Sequence, residues 1–242
     1  MKRLLLLFFA CWSCSAVKAQ EKFKRVDKFV DLAATIGRSQ GTAAASYVHN
    51  WRIGKREKWE AGFGFRWTSY FGTKTAFITA PARLARTNTT PFLIFFAGQR
   101  KDYQDTLIVQ RPLTQSANIS LNLGYNFTAK WKAGFNIDLI GYTFGRESSA
   151  ILKSNGTTRI ESMSKPAGFN LLLTGDHDKG SLNSEFFVKY TFSKKWAVRA
   201  VYQFVFVEYK TANLQQVAPD GTLNDRFRNK ANTLGLGISY QL

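Results

Sequence analysis

The chain is poor in the residues that carry most site chemistry. Of its 242 residues only two are cysteine and two are histidine. Both cysteines, Cys11 and Cys14, lie in the opening "MKRLLLLFFACWSCSAVKAQ". That head has Lys2 and Arg3, then an apolar stretch from Leu4, then small residues ending at Ala19, the layout of a secretory signal peptide over 1–19. Its apolar run is about half of the roughly 20 residues that a membrane-crossing helix needs, and no later run comes closer. Once it is removed, residues 20–242 suit a single domain by length, with no disulfide, thiolate ligand or cysteine nucleophile. No metal-ligand spacing, paired-carboxylate motif or phosphate-cradling glycine loop stands out, so neither metal nor cofactor is expected. Acidic residues are also scarce, 16 against 34 Lys and Arg. For an exported chain that excess points to anionic partners such as lipid phosphates, and with no separate basic domain, nucleic acid is not among them.

Aromatic residues are plentiful at 15%, too many for a disordered basic tail, and they fall in a pattern. "WRIGKREKWEAGF" from Trp51, "YNFTAKWKAGF" from Tyr125 and "YTFSKKWAVRA" from Tyr190 repeat one phrase, and the closing "YQL" gives its first half. Around each phrase apolar residues occupy alternate positions. Trp59, Ala61, Phe63, Phe65 and Trp67 oppose Glu60, Gly62, Gly64 and Arg66. Ile119 to Phe127, Trp131 to Leu139, Leu182 to Phe192 and Leu234 to Leu242 behave likewise. A period of two is usable only by strands. Weaker strands cover 42–53 and 196–209, and the weakest covers 23–36, where Asp27 and Asp31 also allow a charged tail.

The expected fold class is therefore all-β: an antiparallel up-and-down transmembrane β-barrel of about eight strands. Three features favour lipid over water outside it. The polar face mixes Gly, Ser and Asn with isolated charges, as a narrow lumen would. Connections are lopsided, with short turns at 54–57, 128–130 and 193–195 and long loops at the opposite ends. Each short turn is flanked by aromatics, Trp51, Trp59, Tyr125, Phe127, Trp131, Tyr190, Phe192, Trp196 and finally Tyr240, whose rings prefer the headgroup level. His49, between Tyr47 and Trp51 in the alternation, joins that periplasmic girdle.

At these residues the chain resembles the small outer-membrane β-barrels of diderm bacteria, the group of outer-membrane protein A and the X and W porin-like proteins. The ending with Gly237, Tyr240 and Leu242 resembles the C-terminal signal that such proteins present to the barrel-assembly machinery, although Leu replaces the usual Phe. The resemblance implies an outer-membrane location and a monomer. It implies no single function, because fold analogy carries little.

An eight-stranded barrel is filled by its own side chains. Glu60, Arg66, Lys132, Asp138, Glu185, Lys189 and Arg199 are of mixed sign on the inward face, and pairing them predicts a plugged lumen. The preferred reading is a non-enzymatic structural or interaction protein. A small solute channel is the alternative. A lipid hydrolase built on His177, between Asp176 and Asp178 and near Ser181, is the third, though those residues also make ordinary turns. The long loops are basic, and Arg83, Arg86, Arg100, Lys101, Arg226 and Arg228 are the expected contacts to lipopolysaccharide phosphates. Within 73–112, "PFLIFFAG" and "DTLIVQRP" read as strand-like pieces that extend neighbouring strands or form a hairpin above the membrane, or else add two strands to make ten.

Overall fold

The computed structural model describes residues 25–154 and 156–242; the signal peptide at 1–19 lies outside the described residues. Eight long strands carry the alternation seen in the sequence: β1 (Val26–Ile36), β2 (Gln40–Ile53), β3 (Trp59–Gly72), β6 (Leu113–Asn126), β7 (Trp131–Gly145), β11 (Leu182–Thr191), β12 (Trp196–Thr211) and β15 (Arg226–Gln241). Each pairs antiparallel with the next, and β15 returns to β1, so these pairings close a circuit.

The expectation of about eight strands in a simple up-and-down barrel is nevertheless corrected. The described chain has fifteen strands, thirteen of them in one sheet that forms an irregular ring. The long connections are not bare loops. They contribute β4 (Thr75–Thr79), β5 (Thr106–Val109), β8 (Ser148–Ser154), β9 (Thr157–Pro166) and β10 (Phe169–Leu171) to the same sheet, and β13 (Gln216–Val217) and β14 (Leu223–Asn224) form a separate pair. Beyond the reach of β1 and β11, the free edges of β15 and β12 are taken up by β4 and β9. The chain β9, β8, β5, β4 then joins those edges, closing a second, smaller circuit that shares the β12–β15 pair. The physical reason is that exposed strand edges carry unpaired backbone groups that need partners, and "TAFIT" and "TLIV" have the alternation to supply them.

The two circuits have different interiors. The smaller one encloses an apolar core in which Phe77, Leu107, Val109, Leu152, Val205, Tyr209 and Phe227 are buried, with Phe77 and Tyr209 packed edge to face at 5.2 Å between centroids. Burial of each large apolar side chain contributes about 1.5–3 kcal/mol. The larger circuit is inverted: polar residues are buried inside it, while Leu32, Phe63, Phe65, Leu234 and Leu236 on its outer face are between 49% and 73% exposed.

One open alternative is decided here in favour of the strand over 23–36, and one reading is corrected. Asp27 and Asp31 are no tail; they lie on the inward face of β1, buried. "PFLIFFAG" is no strand, since Leu93–Phe96 form a 3-10 turn whose Ile94 alone is buried, whereas "DTLIVQRP" contains β5.

Candidate functional site: the interior charge network and the rim

Strand alternation delivers one inward side chain in two, so the interior is a stack of polar layers whose members come from distant parts of the sequence. Nearest the short turns, Lys132 on β7 pairs with Glu60 on β3 and, at 3.0 Å, with Asp27 on β1. Arg52 adds a guanidinium 3.1 Å from Glu60, and Asn126 Nδ2 donates to Glu60 Oε1 at 2.6 Å. In the next layer Arg199 on β12 is held by both Asp31 on β1 and Glu185 on β11. The Ser239 hydroxyl donates to Asp31, and Asn136 Nδ2 donates to Glu185 at 3.3 Å.

Further along, Arg66 on β3 faces Asp138 on β7 at 3.4 Å. Asp138 also accepts from Asn118 Nδ2 at 2.9 Å and from the Asn183 backbone N–H at 3.0 Å. Above β1's last turn of alternation, Thr42 and Thr35 donate to Gln203 Oε1 at 2.7 and 3.0 Å, and Thr35 contacts Thr233 at 2.8 Å. The pairings differ in part from depth counting along the strands, which groups Glu185 with Arg66 and Asp138; the structure gives Glu185 to Arg199. Two aromatics enter this polar interior. The Lys189 ammonium sits 3.5 Å from the Phe29 ring centroid, and the Arg199 guanidinium sits 4.8 Å from that of Phe187, contacts that favour cations electrostatically.

Sequence reasoning missed Asp27, Asp31, Arg52, Phe29 and Gln203 as interior residues. The signal was there in β1, where Asp27, Phe29, Asp31 and Thr35 all fall on one parity, but its charges read as a tail. A glycine completes the arrangement. A Cβ at Gly237 would come within 2.8 Å of the Leu32 carbonyl oxygen and 3.0 Å of Arg199 Cγ, so the bare backbone there gives Arg199 its path across β15.

At the short-turn end aromatic residues meet across strands, Trp59 and Tyr125 at 4.8 Å, Trp131 and Tyr190 at 4.8 Å, and Trp196 and Tyr240 at 4.9 Å, and along one segment, Tyr125 and Phe127 at 5.1 Å. His49 stacks on Trp51 at 4.6 Å, and Phe192 is exposed beside them. Tyr240 is further touched by Lys195, whose Nζ donates to the phenol oxygen at 3.1 Å. Leu242 is exposed, and its backbone N–H donates to the Lys28 carbonyl at 3.0 Å.

At the opposite end the six basic residues expected on one free face are divided, which corrects that expectation. Arg226 and Arg228 lie on β15 and pair with the buried Glu208, Arg228 itself being only 2% exposed. Arg86 pairs with Asp176, as does Lys230. Burial alone would raise the Asp176 carboxyl, but Lys230 and Arg86 outweigh it and hold the group below its ordinary value, whereas burial pushes Asp178 up. The reason for the division is that two carboxylates at this end claim cations: Glu208 on β12 takes Arg226 and Arg228, and Asp176 in the 175–177 turn takes Arg86 and Lys230. Only Arg83 and Lys101 stay exposed, while Arg100 stacks on Tyr103 at 3.4 Å.

His177 is not assembled with a nucleophile. Its Nε2 lies 2.8 Å from the Thr89 carbonyl oxygen. Asp178 accepts from the Leu173 backbone N–H at 2.7 Å, and Ser181 is buried with its hydroxyl oxygen 3.3 Å from the Glu208 backbone nitrogen. Among the described residues no group of three or more His, Cys, Asp or Glu side chains is placed to hold a metal ion.

No protein-family model matches the chain, and neither does any curated protein. Among solved structures, Neisserial surface protein A is 11% identical, covering 92% of this chain and 100% of that one with a TM-score of 0.34. The attachment invasion locus protein of Yersinia pestis is 7% identical over 91% and 100%, with a TM-score of 0.39. A major outer membrane protein from Thermus thermophilus is 10% identical over 90% and 100%, with a TM-score of 0.37. The chain thus has a weak structural similarity to small bacterial outer-membrane β-barrel proteins, too slight to establish a family.

Proposed function

We propose that this is a non-enzymatic protein of the bacterial outer membrane, in which the larger circuit of strands lies in the bilayer, its interior is closed by ion pairs, and the smaller circuit stands outside as a folded interaction cap. The observation that carries the reading is the inversion of polarity: charged residues buried inside, large apolar side chains facing out in a continuous belt. A soluble protein rarely exposes so large an apolar surface, and buried charges are costly unless paired.

The dimensions support it. From Trp59 to Phe71 on β3, at about 3.3 Å per residue, the strand runs roughly 40 Å. A tilt of about 45° leaves roughly 28 Å along the membrane normal, close to the roughly 25 Å apolar band of outer-membrane barrels. The aromatic girdle then marks the periplasmic surface, and Trp67 and Phe144, edge to face at 5.7 Å, lie toward the outer one. In this frame Gly237, Tyr240 and Leu242 end the last strand at the surface where assembly machinery would meet it.

The test is electrophoretic mobility with and without boiling, together with planar-bilayer recording on the same detergent-folded sample. A mobility shift with a silent bilayer supports the reading. Stable conductance steps would favour a solute channel instead, and solubility without detergent would overturn the membrane location.

A further inference from the structure

Resting on that membrane reading, we propose that a cleft at the outer rim, built by Arg38, Arg111 and Arg146, holds the phosphate of an outer-leaflet lipid headgroup, with lipopolysaccharide as its source. The cleft has a volume of about 470 Å³. Its three arginines come from three separate connections: Arg38 from the turn between β1 and β2, Arg111 from just before β6, and Arg146 from just after β7. Folding brings them to one opening, where all three are exposed and none meets a carboxylate among the described residues. Arg52, Arg66, Arg86, Arg199, Arg226 and Arg228, by contrast, each pair with Asp or Glu. Here three exposed arginines line one cleft with no carboxylate partner among the described residues, and guanidinium forks suit phosphate oxygens.

The walls argue for a lipid and against a free anion. Ile36, 74% exposed, and Phe71, 48% exposed, line the same cleft. They are the last outward apolar residues of β1 and β3, so they stand where acyl chains end and headgroups begin. Arg111 is held with φ at +45°, in the left-handed region that a non-glycine side chain seldom adopts, which fixes the direction in which the chain presents it before Pro112.

The probe is diphosphoryl lipid A added to the detergent-folded protein, with retention read by native mass spectrometry. The comparisons are the same lipid stripped of its phosphates, and inorganic phosphate. The R38Q/R111Q/R146Q variant, which removes the charges but keeps polar side chains at three exposed positions, is expected to lose affinity at least about tenfold, since each exposed charge contributes modestly. The K55Q/R56Q variant, at two exposed residues in the short turn at the opposite end of the strands, is expected to bind as wild type does. Equal retention by the triple variant and wild type overturns the site, as does inorganic phosphate displacing the lipid at equal affinity. Mobility with and without boiling is run on each protein. A preserved shift with no effect of the triple variant sinks the cleft alone, whereas a chain soluble without detergent sinks the membrane reading and the cleft with it.

Discussion

Arg199 on β12 and Asp31 on β1 form a buried ion pair across β15, the strand that separates theirs, passing over Gly237 where there is no side chain to obstruct it. With Glu185 on the other flank, one guanidinium ties β12 to β1 and β11, and Ser239 joins β15 to the same group through Asp31. This bond closes the ring electrostatically as the β1–β15 pairing closes it through the backbone.

Substituting Arg199→Met is expected to destabilise the folded protein by about 3–5 kcal/mol, because it leaves two buried carboxylates unpaired. Adding Asp31→Asn and Glu185→Gln is expected to restore most of the loss, since the cost lies in the stranded charges more than in the missing contact. Urea midpoints of the protein refolded in lipid vesicles, followed by tryptophan fluorescence, measure both effects.

The smaller circuit is expected to respond separately. Leu107→Ala or Leu152→Ala, each at a site with no exposed surface, removes buried volume worth about 2–5 kcal/mol. All the described tryptophans belong to the larger circuit. The fluorescence midpoint is therefore expected to stay near wild type while trypsin gains access to 74–111. A matching fall in the fluorescence midpoint would show the two circuits to be one cooperative unit.

How much of this was legible in the sequence follows from which interactions are local. Alternation is local, so the long strands and the inward parity of Glu60, Arg66, Lys132, Asp138, Glu185, Lys189 and Arg199 could be read directly. Pairing is not. Asp31 finds Arg199, 168 residues away, and without that partner its charge reads as solvated tail. Arg226 and Arg228 show the same limit. Their run "RFRNK" looks like a basic loop until Glu208 is folded beneath it, although the alternation of Phe227 and Asn229 with the charges was visible. "DTLIVQRP" shows strand character but not which edge it joins, and "TAFIT" reads as loop, so the second circuit could not be foreseen.

Docking of the 167–181 segment is expected to depend on pH through Asp176. Its carboxyl is held below the ordinary 3.8 by Lys230 and Arg86, so its contribution is present in full above that value and is lost as pH falls through the depressed one. Asp178, raised by burial, works in the opposite sense and gains as pH falls. Asp176→Asn is expected to leave the segment weakly docked at neutral pH and to remove the acid-side loss. Amide hydrogen exchange over 172–181 between pH 7 and pH 3 measures this; protection unchanged by the substitution would contradict it.

Residues 20–242 expressed alone contain neither Cys11 nor Cys14, so single cysteines can be placed along the strands without interference. The most direct measurement is a scan of spin labels at positions 61 to 67 of β3 in lipid vesicles, comparing collision with oxygen, which concentrates in the bilayer, and with a water-soluble nickel chelate. Accessibility to oxygen is predicted to alternate with a period of two, high at Ala61, Phe63, Phe65 and Trp67, with both reagents excluded at Gly62, Gly64 and Arg66. Strong collision with the nickel chelate at the outward positions would place that face in water and contradict the membrane reading, and strong collision at the inward positions would contradict a closed interior.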